Sequence, residues 1–464
     1  MANEWRTVRL GEFCSKIGSG ATPRGGSKVY LEHGPFALVR SQNVRNDSFA
    51  RDGLAHITAE QADGLANVEL QPKDVLLNIT GDSVARCCLV DEGILPGRVN
   101  QHVAIIRPRP DELDPVFLRY SLVSPEMQER MLSWAAAGGT RNALTKGMIE
   151  AFEVPCPPIR EQRAIAHVLG TLDDKIECNR RLNRTLEGIV RALFKSWFID
   201  FDPVIDNALA AGNPIPDELA DRAALRQQAA EEHAKPLPDD LRALFPAEFT
   251  HTDTMGWIPK GWDVAPLSRT ARLKAKTVNP GNSPDQVWVH FSIPAFDDGR
   301  QPVHDKGETI KSGKYLVPPC CVLASKLNPQ FPRVWLPDVS DPAVSICSTE
   351  FMPFVPKTES ELPFLYAFLS SEAAQTEITN RVTGSTGSRQ RVKPKEIAEM
   401  PVLVPPQALR QRFSLTTSRH LDRLLNNTRS IAKLSALRDT LLPRLLSGEV
   451  TVPVAVTLTE EAGQ

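Results

Sequence analysis

Residues Ile159 to Phe201 read IREQRAIAHVLGTLDDKIECNRRLNRTLEGIVRALFKSWFIDF. Within this stretch Ile165, Leu169, Leu172, Ile176, Asn179, Asn183, Leu186, Val190, Leu193 and Trp197 fall alternately four and three apart. That spacing is the a/d seam of a coiled coil, held over roughly five heptads. One amphipathic helix cannot bury its own stripe, so the seam requires a partner helix. At about 1.5 Å per residue the stretch forms a rod of roughly 60 Å. Asn179 and Asn183 interrupt the seam at its middle. A polar seam residue fixes register and orientation at some cost in stability; the alternative is that the two asparagines face a third helix from a partner protein. Arg180, Arg181 and Arg184 lie beside them and read as a solvated face or a partner contact rather than a DNA contact. A rod of this length in mid-chain reads as a spacer between two things.

Before it, residues 1–158 read as short strands and turns followed by helix. FALVRSQNV, DVLLNIT, RCCLV and HVAIIRP are rich in β-branched residues and bounded by Gly, Asp and Pro. DPVFLRYSLVSPEMQERMLSW reads as helix, with Asp114 at the cap position before Pro115. After it, residues 202–261 are rich in Pro, Ala and acid, with one expected helix near 217–235. The segment is too long for a bare loop, and we expect a structured connector wrapping the surface.

The chain then replays itself. PPCCVLASKLNPQFPRVWL can be laid on KDVLLNITGDSVARCCL, pairing Val75 with Val322 and Arg86 with Arg333, each 247 residues apart. VFLRYSLVS matches PFLYAFLSS, with Tyr120 set over Tyr366. KGMIEAFEVPCPP matches PKEIAEMPVLVPP at a separation of 248, and the register then slips to 249, setting Gln162 against Gln411 and Leu172–Asp173 against Leu421–Asp422. A globular block followed by a long helix therefore occurs twice. The second helix, residues 407–448, carries Leu421, Leu424, Thr428, Ile431, Leu434, Leu437, Leu441 and Leu445. It is the natural partner for the first, in an antiparallel pair.

Composition bounds the function. With 464 residues, 41% hydrophobic and 24% charged, the chain has the makeup of a soluble globular protein of two or three domains. It holds no apolar run of about 18 residues and no apolar signal core at its start, so a cytoplasmic protein is expected. A net charge of −2 argues against a uniformly basic nucleic-acid binder but leaves local basic surfaces open. The eight cysteines sit mostly in Val/Leu-rich runs without C-x-x-C spacing, and read as buried free thiols. The histidines form no metal-ligand cluster. Asn328-Pro-Gln-Phe331 looks like the N-P-P-[FY] tetrapeptide of amino-methyltransferases, but it lacks the second proline and no nucleotide-binding turn accompanies it; a loop is expected. GETIKSGK resembles a P-loop with one residue too many and Tyr315 where Ser or Thr belongs. No catalytic constellation emerges.

What the two blocks share is a basic, small-residue loop. In the first, GGTRNALTKG supplies Thr140, Arg141, Asn142 and Lys146; in the second, TGSTGSRQRVKPK supplies Ser385, Thr386, Ser388, Arg389, Arg391, Lys393 and Lys395. Backbone amides, hydroxyls and Arg/Lys are what proteins use to hold phosphate oxygens. A second candidate set is polar and strand-associated: Arg40, Ser41, Gln42 and Asn43, then Arg98, Asn100, Gln101 and His102, with Lys326 in the second block. Arg, Asn and Gln can make two hydrogen bonds to a purine edge in the major groove. Taken singly, each of these also reads as an ordinary turn residue.

This organisation resembles the specificity subunit of type I restriction–modification enzymes over essentially the whole chain. The stretches that carry the resemblance are residues 157–204 around the seam, MGWIPKGWDVAPL (255–267), LASKLNPQFPRVWL (323–336) with ICSTEFMPFVPK (346–357), and LSALRDTLLPRLLSGEV (434–450). It implies an α+β chain of two globular mixed α/β target-recognition domains in tandem repeat, separated by an antiparallel coiled coil of two long helices. The expected boundaries are 1–158 and 262–406 for the recognition domains, 159–201 and 407–448 for the spacer helices, 202–261 for the connector and 449–464 for a tail. Each domain would read half of a split, asymmetric site in double-stranded DNA. Two methyltransferase subunits and two ATP-dependent restriction subunits would dock on the scaffold, bringing S-adenosylmethionine, ATP and Mg, so that this chain is a reader without cofactor or catalysis of its own. The second helix lacks the FKSWF ending of the first, so the two docking surfaces need not be equivalent. The competing reading is a coiled-coil adaptor whose two domains bind protein or glycan partners.

Overall fold

The computed structural model describes residues 5–46, 48–137, 142–232, 237–382 and 390–462. The chain divides into two compact units, Met1–Asn179 with Ser430–Gln464, and Arg180–Arg429. The long helices Ile159–Phe198 and Gln407–Leu446 each give one half to each unit.

In the first unit a four-stranded antiparallel sheet runs in the order Cys14–Ser19, Val103–Pro108, Val75–Asn78, Cys87–Leu89. Every residue of the central Val75–Asn78 strand is buried. A second sheet sets Phe36–Val39 between Ala55–Ile57 and Gly97–Val99, the last pair being parallel. Asp114 caps its helix as expected, accepting from the backbone N–H groups of Val116 and Phe117 at 2.9 and 3.0 Å. The helix is not continuous, however. It runs Pro115–Val123, stops at Ser124 and restarts as Pro125–Ala136, because Pro125 has no N–H to continue the ladder and Ser124 serves as the new cap. The core takes Ile165, Leu169, Leu172 and Ile176 from the first long helix and Ile431, Leu434, Leu441 and Leu445 from the second. Asp173 bonds Arg438 and Asn179 bonds Ser430, so residue numbers rise on one helix as they fall on the other. The pairing is antiparallel. Beyond the second helix, Val452–Ala462 forms a further helix, with Val450 and Ala455 buried in the same core.

The second unit repeats this plan. Its four-stranded sheet runs Ala271–Leu273, Phe351–Pro356, Val322–Ser325, Val334–Trp335. Its other sheet again holds a parallel pair, Val287–Phe291 with Ser345–Cys347, and adds Thr277–Val278 and Lys314–Leu316. Phe194, Trp197 and Phe198, from the FKSWF segment, close a buried aromatic cluster with Phe364 and Phe413. Val190, Leu193 and Leu421 join the same core, and Leu186 and Leu424 are buried beside it. Asn183 accepts from the Asn427 amide at 2.9 Å and donates to Thr428 at 3.3 Å. Both seam asparagines thus find polar partners on the opposing helix, as a register-fixing role requires. The first helix ends at Phe198, and the chain turns at Phe201 with φ 56°. The connector does more than wrap: besides Ala220–Glu231 it forms the helix Asp202–Ala211, and Val204, Leu241 and Phe245 enter the core.

Three pairings of the repeat alignment change. The helices Pro115–Val123 and Leu362–Ser370 have the same length and begin and end 247 residues apart, which sets Tyr366 against Arg119 rather than Tyr120. Gln162 corresponds to Arg410 and not to Gln411. Gln162 is buried and donates to the Pro157 carbonyl at 2.8 Å, Arg410 donates to the Pro405 carbonyl, and Gln411 faces solvent. Likewise Asp422, set against Asp173 by sequence, is exposed.

Candidate nucleic-acid interface

The parallel strands gather most of the strand-associated candidate set. Val39 pairs with Val99, so Arg40–Asn43 and Asn100–His102 leave the sheet side by side, joined by Asn100 N–H to the Val39 carbonyl at 3.0 Å. Gly20 crosses this edge so closely that a Cβ there would stand 1.8 Å from the Val99 carbonyl oxygen; only glycine fits. The basic loop is anchored beside them. Thr80 bridges Ala143, and Leu144 N–H donates to the Ile79 carbonyl at 2.9 Å. His102 Nδ1 lies 2.6 Å from Thr80 Oγ1, and Asn78 donates to the Ser41 carbonyl at 2.8 Å, so three segments distant in sequence meet at one edge.

Not every candidate points outward there. Arg98 is buried, donates to the Ala62 and Gly97 carbonyls at 3.1 and 2.9 Å, and lies over the Phe36 ring. Asn43 is fully buried and bonds the Ala50 carbonyl at 2.9 Å. Asn100 is buried and accepts from the His102 N–H at 3.0 Å. These three shape the edge from within. Arg40 is half-buried over Tyr30, while Gln42 and Gln101 are exposed. Gln42 is bonded to the Gly53 carbonyl and Gln101 to His102, each at 3.0 Å. Lys146 is exposed and pairs with Glu150 at 3.5 Å. Thr140 and Arg141 lie outside the described residues, as do Ser385, Thr386, Ser388 and Arg389.

The second unit builds the same edge with different side chains. Ser348 N–H donates to the Phe291 carbonyl at 3.0 Å, repeating the Asn100 bond and placing Ser292 and Ser348 where the first unit has Arg40 and Asn100. Lys326 follows the central strand, its carbonyl accepting from Val392 N–H at 3.1 Å, and Leu327 bridges Arg391. Arg391 sits on Glu350 at 2.9 Å, which holds its guanidinium above the ordinary range through that hydrogen bond. Lys393 pairs with Glu396 at 2.8 Å. Sequence reasoning passed over Phe331. The Asn328–Phe331 segment is a turn, with Asn328 at φ 46° and bonded to the Gln390 carbonyl at 2.8 Å, and it leaves Phe331 61% exposed next to the basic loop. Gly81 holds the matching left-handed position in the first unit, at φ 77°, and bonds the Asn142 carbonyl. A signal was available, since an aromatic residue in a polar Pro-rich turn has no core to enter.

Residues 2–188 match the family model of the type I restriction modification DNA specificity domain. The chain aligns over 97% of its length with the whole of the HindI specificity subunit of Haemophilus influenzae, at 24% identity. The chain is thus similar to type I specificity subunits along nearly its whole length. The MjaIX specificity subunit of Methanocaldococcus jannaschii is 23% identical across 97% of this chain and 94% of its own. A crystal structure of a type I S subunit from M. genitalium shares the fold, with a TM-score of 0.52 over 96% of this chain and 97% of that one at 15% identity.

Among the described residues, no group of His, Cys, Asp and Glu could hold a metal ion, and no helix is long and apolar enough to cross a membrane. All eight cysteines are free. Five are buried, Cys14 is partly so, and Cys178 and Cys320 are exposed, which corrects the expectation for those two. Burial pushes the Cys14 and Cys347 thiols up to about 12, so neither is a ready nucleophile.

Proposed function

We propose that this chain is a type I specificity subunit that reads a bipartite, asymmetric site in double-stranded DNA, one half with each globular domain. The observation that carries the proposal is the recurrence, in both units, of an edge where parallel strand ends meet an anchored basic loop. The half-buried Arg40 and the exposed Gln42 and Gln101 are the base-reading candidates on the first edge. Lys146, Lys326, Arg391 and Lys393, with the loop residues Thr140, Arg141, Ser385, Thr386, Ser388 and Arg389, supply phosphate contacts. Arg98, Asn43 and Asn100 serve by shaping the edge. Different side chains at equivalent positions, Arg40 and Asn100 against Ser292 and Ser348, suit two unlike half-sites.

The two long helices act as the ruler that sets the unread gap, and carry the docking surfaces for two methyltransferase and two ATP-dependent restriction subunits. S-adenosylmethionine, ATP and Mg belong to those partners, which carry the catalysis in the cytoplasm. Methylome sequencing of a host expressing this chain with its methyltransferase partner tests the reading. One split, methylated adenine motif is expected, and exchanging residues 1–158 for another member's first domain should change only one half of it. Finding no motif with both proteins expressed would sink the proposal.

A further inference from the structure

In each unit the loop leaving the parallel strand is tied to the long helices of that same unit, by different residues performing one task. In the first unit Arg119, 6% exposed, stands between helix and loop. Its Nη1 donates to Asp173 Oδ2 at 2.8 Å and its Nη2 to the Asn46 carbonyl at 2.7 Å. Asn46 lies three residues past Asn43, and its side chain accepts from the Cys87 N–H at 3.0 Å. Asp173 is fixed in turn by the Tyr120 hydroxyl at 2.7 Å and Arg438 at 2.8 Å.

In the second unit Tyr366 occupies the Arg119 position and donates to Glu187 at 2.8 Å. The loop brings its own arginine: Arg300 donates to the same Glu187 oxygen, and Gln301 donates to the Thr428 carbonyl at 3.3 Å. Arg300 holds a left-handed backbone at φ 59° and lies over the Phe296 ring at 4.8 Å. A residue other than glycine keeps that conformation only where its surroundings impose it. Asp173 and Glu187 each follow a seam residue, Leu172 and Leu186, so they stand at the same heptad position two heptads apart. Partly buried ion pairs contribute little net stability next to apolar packing, but they fix geometry.

We propose that Arg119 and Arg300 are positioning residues for recognition, each fastening the loop after its domain's parallel strand to a carboxylate of the first long helix and so deciding which base edges the loop reaches. The inference rests on the half-site reading above. Hydrogen-bonded base readout tolerates little displacement, because both bonds of a bidentate contact must align at once.

The test uses the full chain with its methyltransferase partner on a plasmid library in which each motif position is randomised, read by methylation-sensitive sequencing. Arg300 is partly exposed, so Arg300→Gln should fold, with Arg300→Lys as the conservative variant and thermal midpoints recorded for both. Arg300→Gln is expected to cut discrimination roughly tenfold at one or more positions of one half-site, leaving the other half unchanged. Arg300→Lys should restore part of it. Discrimination within twofold of wild type at every position, alongside a lowered thermal midpoint, would mean that Arg300 only supports the fold and would overturn the proposal. Equal loss in both halves would overturn it as well. A wild-type complex that methylates no motif fails the half-site reading itself, and is told apart because it precedes any variant.

Discussion

Replacing Asp173 with alanine removes an acceptor shared by Arg119, Tyr120 and Arg438. The Arg119 side chain is 8% exposed and that of Asp173 19%, so water cannot readily take the carboxylate's place. The guanidinium would remain buried with the Asn46 carbonyl as its remaining strong partner. Breaking a buried pair in this way costs about 3–5 kcal/mol. Asp173→Asn keeps the shape and one acceptor oxygen but forfeits the charge, for about 1–3 kcal/mol. A unit of this size loses roughly 2–4 °C of thermal midpoint per kcal/mol, so alanine should lower the first unit's transition by about 6–20 °C and asparagine by about 2–12 °C. Burial, reinforced by the Asp173 charge, pushes the Tyr120 hydroxyl well above its ordinary range. It therefore stays a donor throughout neutral and mildly alkaline pH. Scanning calorimetry of the full chain measures the drop, with Arg119→Leu/Asp173→Leu as the control in which no charge is stranded and much of the loss returns. An alanine variant melting within 2 °C of wild type would show that solvent reaches the cluster, and the reasoning from burial would be wrong.

Asn183→Leu alone strands the buried Asn427 amide and should cost about 1–3 kcal/mol in urea unfolding, whereas Asn183→Leu/Asn427→Leu should recover or exceed wild-type stability while loosening helix register. His290 gives a pH dependence: burial, with Lys314 adding to it and Asp305 opposing, holds its pKa below the ordinary 6.5. The unfolded chain then binds the proton first, so this contribution is complete above about pH 6.5 and declines as pH falls from there toward the folded value. His290→Asn should flatten the thermal midpoint across that interval, and an unchanged slope would refute the assignment. Arg391→Ala should weaken DNA binding by the complex alike for all sequences and reduce the salt slope by about 0.9, as a phosphate contact does; a motif relaxed at one position, at unchanged affinity, would make Arg391 a base reader instead.

Periodicity and local chemistry determined a great deal about this chain. The four–three spacing from Ile165 to Trp197 demanded a partner helix, the replay 247–248 residues later supplied it, and Asp114 before Pro115 announced a cap. Each is a statement about which face of an element is apolar, or about which backbone groups a neighbouring side chain can reach. Such information is written locally. What the tertiary structure alone decided is which polar group meets which across long separations. Asp173 and Asp422 look equivalent in sequence, yet one holds two arginines and a tyrosine while the other faces solvent, and the matching acid of the second unit comes from Glu187 on the other helix. Arg98 looked like a reader beside Asn100 and Gln101, and its buried guanidinium instead bonds the Ala62 and Gly97 carbonyls over the Phe36 ring. The loop expected at Asn328–Phe331 is a turn, and only the structure shows that it leaves the Phe331 ring exposed. A strand or helix pattern repeats every two or 3.6 residues and survives in one dimension. The partner of a buried charge depends on how several such elements pack, and no local spacing records it.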